Sequence, residues 1–337
     1  MNILKNISLL PHNSFGIDVK TKYFAQYQSI EQLRELLESD ILKNEKLLHI
    51  GNGSNLLFVS DFQGIILHSE IKFIEIEAET ETEIFLRVGS GVIWDDFVNY
   101  CVINNYSGAE NLSLIPSEVG AAAVQNIGAY GAEISDIIET VETIDIQTLE
   151  KQIFTNSECK YDYRTSIFKT DLKGKKIVTS VVFKLSKTPN FNLNYAHLEQ
   201  EILKNFSEIN LANIRATVIS IRESKLPNPK ITPNAGSFFK NPYISAKTYE
   251  NLKNNYPIMP YYAVNEELVK IPAAWLIEQC GWKGKSLGRA AVNATQPLVL
   301  VNQGNATGKE ILALSAEIQK SIKEKFDIDL EMEVEIV

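Results

Sequence analysis

A mixed α+β fold in two or three domains is predicted for this chain, on three observations. Its 337 residues, 45% of them hydrophobic, can bury a large core, and chains of this length usually divide. Capped helical patterns and short apolar strand-like runs are both present. At "LPNP" (226–229) one set of elements ends and another begins, so a domain boundary is placed close by.

Taken in order, the first element is a helix over about 29–42, where Ser29 and Gln32 can form a capping box and Ile30, Leu33, Leu37 and Ile41 recur at helical spacing. "KLLHI", "LLFV" and "GIILH" then read as three short strands separated by Gly, Asn, Ser and Asp. Two further strands flank the acidic turn "ETETE". A helix over about 94–104 carries Trp94, Phe97, Val98, Cys101 and Val102 on one face, with Asp95 and Asp96 favouring its N-terminal end. "IIETVETIDIQTLEKQIF" predicts a hairpin, "YDYRTSIFK" an irregular loop and "KIVTSVVFKLS" a strong strand. A helix follows over about 211–225. Beyond the boundary come a helix in "PAAWLIEQCGW" stopped by glycine, a buried strand in "PLVLVN" and a helix over about 308–326. The stretch "DIDLEMEVEIV" alternates acid and hydrophobe, which predicts a strand with Ile328, Leu330, Met332, Val334 and Ile336 on one face.

Composition limits the function. A net charge of -9 and a pI near 5.2 leave no broad basic field for nucleic acid, and a small anionic ligand fits better. The three cysteines and four histidines form neither a disulfide framework nor a metal cluster. Neither a signal peptide nor a bilayer-spanning segment is expected, so the reading is a cytoplasmic protein with no membrane partner.

Four stretches carry candidate chemistry. "GNGSN" (51–55) has the composition of a backbone nest for a phosphate, but taken alone it reads as an ordinary hairpin turn. "VGAAAVQNIGAYGAE" (119–133) is almost free of bulk and charge, so its backbone could approach a flat ligand, and its polar Gln125 and Asn126 would want partners. The bland alternative is tight packing of a short helix and loop. "YDYRTSIFK" sets Arg164 among aromatics, a fork suited to carboxylate or phosphate, although a surface arginine stacked on tyrosine is the commoner event. "AGSFFKNP" (235–242) places Ser237 and Asn241 on a glycine-hinged, proline-ended loop. No histidine stands near Ser237 in sequence and no GxSxG elbow surrounds it, so a hydrolase triad is not supported, whereas a proton donor is still open.

Together "NSFGID", "GNGSNLL", "QNIGAYG", "YRTSIFK", "KLPNP", "NAGSFFKNP" and "LEMEVE" occur in the order found in the UDP-N-acetylenolpyruvoylglucosamine reductases, which the chain closely resembles almost end to end. That resemblance implies a flavin-binding module of two subdomains of the vanillyl-alcohol oxidase (PCMH) type, residues 1–70 and 71–218. A C-terminal α+β substrate-binding domain follows, residues 219–326, and the strand over about 327–337 returns to the first subdomain. It implies non-covalent FAD, with its diphosphate near Gly51, Asn52, Gly53, Ser54, Asn55 and Leu56. The rest of the cofactor would be lined by Ile115, Pro116, Gly120, Ala121, Ala122, Gln125, Asn126, Gly128, Ala129 and Tyr130. It implies NADPH as hydride donor, a UDP-sugar substrate, and a monomer without metal.

Matched position by position, Arg164, Ser237 and Glu333 fall where the family has its catalytic residues. Tyr195, Lys225, Asn241, Tyr262 and Gln296 fall where it binds the UDP-sugar, with Tyr163, Arg222 and Lys283 as helpers. Tyr195 and the "PYYAVNEELVK" insertion mark the longer subtype. Ser117 and Glu118 stand where the family usually has glycine and a small hydroxyl residue, and Glu335 where relatives often carry arginine. A carbohydrate flavin oxidase of the same superfamily, and a nucleotide-sugar binding protein without catalysis, are the competing readings.

Overall fold

The computed structural model describes residues 2–193, 195 and 197–337. It divides into two compact units, each assembled from separate stretches: residues 1–7, 21–52 and 63–222 form the first, residues 8–20, 53–62 and 223–337 the second.

Two sheets organise the first unit. One runs in the order Ile3–Ser8, Lys20–Tyr27, Phe62–Ser69, Lys46–Ile50, the last two strands pairing in parallel from Lys46 opposite Gly64 to Ile50 opposite His68. The other has five strands in the order Lys151–Thr155, Ile138–Asp145, Lys176–Ser186, Glu83–Gly89, Ile74–Glu79, all antiparallel. Trp94, Phe97, Val98 and Cys101, predicted to share a helix face, are fully buried. They join Val181 and Phe183 of the central strand in one core, with the helix Val119–Gln125 contributing Val119, Ala122 and Ala123. The alternating apolar strands and the helix stripe thus meet where each buries its hydrophobic face.

Three sequence expectations need correcting. The first helix is broken: Ile30–Glu38 ends at Ser39, whose hydroxyl accepts from Leu42 N and starts a second short helix, Asp40–Asn44. A serine able to cap interrupts a pattern that apolar spacing alone would continue. Nor is "GNGSN" a hairpin turn. The strand before it pairs in parallel with Phe62–Ser69, and Leu56–Leu57 after it pairs with Glu335–Ile336, so its flanks never meet. Finally, residues 327–337 form no continuous strand. Only Glu335–Ile336 is regular strand, and Met332 makes an isolated bridge to Phe239. The predicted faces survive: Ile328, Leu330 and Val334 are buried.

The second unit contains a sheet in the order Asn234–Ser237, Val299–Asn302, Ala290–Val292, Ser286–Leu287, and a small sheet in the order Tyr243–Ser245, Leu268–Lys270, Tyr262–Ala263. The helix Gly308–Phe326, opened by a Thr307 and Glu310 capping box, buries Ile311, Leu314, Ile318 and Ile322 in a core with Phe15, Phe238, Phe239 and Leu276. Gly308 is obligatory for that packing, because a Cβ there would lie 1.9 Å from the carbonyl oxygen of Phe58.

One buried charge in the five-stranded sheet sets a pH dependence. Glu142 accepts from Arg87 at 2.7 Å, Lys151 at 2.9 Å and Ser180 at 2.7 Å. Burial pushes its carboxyl up, but the Ser180, Lys151 and Arg87 hydrogen bonds outweigh that and hold it below its ordinary value of 4.5. A lowered folded value means stability that is present above the ordinary glutamate range and lost as pH falls through the folded value. Glu142→Gln is expected to lower unfolding free energy by about 1–2 kcal/mol at pH 7, since both cations keep partial solvent access. Its loss of stability between pH 6 and pH 3 should also be smaller than the parent's. Parallel urea midpoints for parent and variant over that range would contradict the assignment.

Candidate functional site

In the second unit the chain displays Ser237 by a local irregularity. The strand Asn234–Ser237 pairs Asn234 with Val301 and Ser237 with Val299, so one extra residue is bulged, which re-aims the side chains beside it. Gly236 sits in the bulge at φ +69°, a conformation that favours glycine. Asn234, buried, fixes it: its Oδ1 accepts from Gly236 N at 2.8 Å, while its Nδ2 donates to the carbonyls of Thr232 and Pro227. Phe238 and Phe239 follow, fully buried, with rings edge to face at 5.1 Å. The half-buried Ser237 thus stands on a base that cannot swing.

Glu333 is carried to the same place. Its N donates to the carbonyl of Phe238 at 2.8 Å, and Lys240 N donates to the carbonyl of Glu331 at 2.9 Å. On the other side, Asn55 Nδ2 donates to the Glu333 carbonyl at 3.2 Å, and Glu335 N donates to the carbonyl of Asn55. Residues 331–335 therefore lie between the serine loop and the end of the "GNGSN" stretch. Asn241 ties the loop to a helix, its Oδ1 accepting from Ala273 N at 2.8 Å. Gln296 turns inward on its own loop, 3.5 Å from Leu298 N. Lys225 ends the helix Leu211–Lys225, and its carbonyl accepts from Thr295 Oγ1. Lys283 pairs with Glu278 at 2.8 Å. Tyr262 is exposed, and Lys270 lies 5.9 Å from its ring centroid.

The first unit holds the other candidates. Arg164 adopts φ +56° in a tight turn closed by Thr165 N on the Asp162 carbonyl. Its guanidinium lies 5.1 Å from the Tyr163 ring centroid and donates from Nη2 to the Gly128 carbonyl at 2.5 Å. The helix Val119–Gln125 ends at Asn126, buried and left-handed at φ 47°. Asn126 Nδ2 donates to Glu133 at 2.8 Å and to the Asp162 carbonyl at 2.9 Å, and Gln125 accepts from Lys169 at 2.7 Å. Both polar residues of the small-residue stretch thus have partners within the protein. The "short helix and loop" alternative describes the backbone correctly, although it does not account for the arginine gathered onto that loop.

Glycine in these stretches answers first to the protein's own packing. A Cβ on Gly53 (φ +71°) would meet the His12 carbonyl oxygen at 2.0 Å, one on Gly51 the Ala121 Cβ at 2.9 Å, and one on Gly120 the Ser90 Cβ at 2.8 Å. The fit to a cofactor rests on other groups. Arg222 keeps its Nε buried with no hydrogen-bond partner among the described residues, and Asn111 does the same with its Oδ1. Asn111 Nδ2 donates to the Tyr130 carbonyl. Burial raises the Tyr130 hydroxyl, and the nearby Arg222 charge acts against it. Tyr195, exposed, stands edge-on to Tyr130 at 6.2 Å. A half-buried cation, an unused acceptor and a tyrosine pair suit a polar, anionic and partly aromatic ligand such as FAD. Ile115 is half-buried and Pro116 exposed.

Sequence reading gave no role to a buried pair next to Gly51. Glu118 Oε1 and Oε2 lie 2.9 and 3.1 Å from His68 Nε2, and Glu118 Oε2 would be 3.2 Å from a Cβ on Gly51. This accounts physically for the acid at 118: burying it requires a partner, and His68 supplies one. Glu133 and Lys169 were likewise not singled out, although each sat in a quoted stretch. Among the described residues no group of three or more His, Cys, Asp and Glu could hold a metal, and no helix is long and apolar enough to cross a membrane.

Residues 228–337 match the family described as UDP-N-acetylenolpyruvoylglucosamine reductase, C-terminal domain, and residues 21–148 match an FAD binding domain. A UDP-N-acetylenolpyruvoylglucosamine reductase of Bacteroides fragilis is 50% identical over 98% of both chains. Those of Flavobacterium johnsoniae and Porphyromonas gingivalis are each 45% identical over 100% of both. A crystal structure of the enzyme from Thermus caldophilus shares the fold, with a TM-score of 0.70 over 100% of this chain and 99% of that one at 22% identity. The expected α+β fold with an FAD-binding module therefore stands, and the chain belongs to the UDP-N-acetylenolpyruvoylglucosamine reductase family.

Proposed function

We propose that this chain reduces UDP-N-acetylglucosamine enolpyruvate to UDP-N-acetylmuramate with NADPH, as a cytoplasmic flavoprotein in peptidoglycan precursor synthesis. The observation that carries the proposal is the placement of Ser237 on a rigid bulge directly against the backbone of Glu333, in a chain 50% identical to a relative of that name. Residues 1–70 and 71–218 are taken as the FAD-binding subdomains and 219–326 as the substrate domain.

FAD, when bound, supplies to C3 of the enolpyruvyl group the hydride it takes from NADPH. Gly51 to Leu56 and Gly120 to Tyr130 would hold it with backbone and small side chains, and Arg222 would offer a half-buried positive charge. Hydride addition at C3 would leave negative charge shared between C2 and the substrate carboxylate. Arg164 offers a fixed guanidinium to that charge, and Glu333 assists through a hydrogen bond. Ser237 then delivers its hydroxyl proton to C2, completing the addition across the double bond. Asn241, Lys225, Gln296 and Tyr262 hold the nucleotide-sugar, with Tyr163, Tyr195 and Lys283 beside them.

The test is an anaerobic stopped-flow trace at the flavin band. NADPH should bleach the holoenzyme, and the enolpyruvyl UDP-sugar should restore the colour. Bleaching without recovery would refute the substrate assignment. Rapid recovery with oxygen and no need for NADPH would instead identify an oxidase.

A further inference from the structure

We propose that Glu133 and Lys169 are positioning residues for Arg164, one acting on its head and the other on its backbone. The inference rests on the reading of Arg164 as the group that stabilises charge on the substrate.

A free arginine side chain is long and mobile, and a group that must meet charge as it develops has to be aimed beforehand. The structure aims this one at both ends. At the head, Nη2 is tight on the Gly128 carbonyl at 2.5 Å, whereas Nη1 makes two longer contacts of 3.4 Å, to the Asn126 carbonyl and to Glu133 Oε1. Bonds of 3.4 Å lie beyond the usual range for N–H···O, so Nη2 is the pivot and Nη1 the more loosely held end. Glu133 limits how far that end can turn. Its other oxygen is itself fixed by Asn126 Nδ2 at 2.8 Å. The approach is close: a Cβ on Gly128 would lie 2.6 Å from Nη1 and 3.0 Å from the Ala132 carbonyl oxygen.

At the backbone end, Arg164 has a left-handed conformation at φ +56°, which costs energy for a residue with a side chain and persists only where its surroundings impose it. Lys169 is one such constraint. Its Nζ donates to the Arg164 carbonyl at 3.1 Å and to Gln125 Oε1 at 2.7 Å, binding the arginine turn to the end of the helix Val119–Gln125. Head and backbone are thus anchored to the same short segment, residues 125–128.

The experiment measures kcat and KM for the enolpyruvyl UDP-sugar in FAD-loaded parent, Glu133→Gln, Lys169→Met, Arg164→Lys, and the two doubles with Arg164→Lys. Glu133→Gln and Lys169→Met are expected to lower kcat by about 10- to 100-fold with KM changing far less, since a misaimed group loses transition-state contact more than binding. In the Arg164→Lys background both effects should largely vanish, because the residue they aim has gone. Equal losses in the two backgrounds, or losses carried by KM, would overturn the proposal. Parental kcat in Arg164→Lys would overturn the reading of Arg164 itself. Bound FAD and near-ultraviolet circular dichroism check the fold, and should Glu133→Gln fail that check, the Lys169→Met cycle decides.

Discussion

Ser237→Ala is expected to slow the substrate-dependent half of the reaction by about 10²–10⁴-fold, the usual contribution of a positioned proton donor, and to leave reduction by NADPH unchanged. The asymmetry follows from chemistry. A hydroxyl that protonates C2 has no part in the first half-reaction. It also follows from structure: Gly236 and Asn234 hold the bulge through backbone geometry and the Asn234 side chain, and Phe238 is buried independently of the hydroxyl. Alanine therefore removes one oxygen and keeps the loop. Stopped-flow traces of each half-reaction separate the two. Equal rates for parent and variant in the second half would remove Ser237 from the mechanism, whereas equal slowing of both halves would reveal a folding defect.

The second large effect concerns stability. Gly53→Ala should destabilise the protein without cofactor by on the order of 4 kcal/mol, because a clash with backbone adds to an unfavourable φ. The His12 carbonyl oxygen, 2.0 Å from the new carbon, belongs to main chain and cannot rotate away. Gly174→Ala is the control. It has a similar φ of +70° with nothing within 4 Å of the added carbon, and should lose only about 1 kcal/mol. Urea unfolding of the two variants distinguishes packing from strain. Similar midpoints would mean that the Gly53 approach relaxes, leaving cofactor contact as the reason for glycine there.

Local signals reported local structure well. The helix Gly308–Phe326 was legible because the apolar positions repeat with its own period and a threonine with a glutamate three residues on closes its start. The terminal alternation correctly gave the buried face, since side-chain direction is a property of the extended backbone itself. Which partner that backbone meets is not local. Residues 331–337 are shared between Phe238–Lys240 and Asn55–Leu57, hence no single strand forms. The hairpin reading of "GNGSN" taken alone fails for the same reason, as its flanking strands find partners outside their neighbourhood. The candidate residues Arg164, Ser237 and Glu333 were each reached through family motifs. Glu133 and Lys169 were missed because what they do is hydrogen-bond to residues 125–128 and to Arg164, and spacing does not encode that.

The interleaving of the two units bears on the order in which the protein can be made. The second unit needs residues 8–20 and 53–62, which leave the ribosome early, and residues 331–337, whose main chain bonds to Asn55, Leu57 and Val59. Its core also requires the helix Gly308–Phe326 against Phe15 and Leu57. The early segments must therefore wait, with Phe15, Ile17 and Leu57 uncovered, until the final strand pairing arrives. Such long-range closure is slow and leaves apolar surface exposed meanwhile. The first unit can complete its two sheets before then. Newly synthesised chains should thus pass through a stage in which one half is native and the other depends on chaperones.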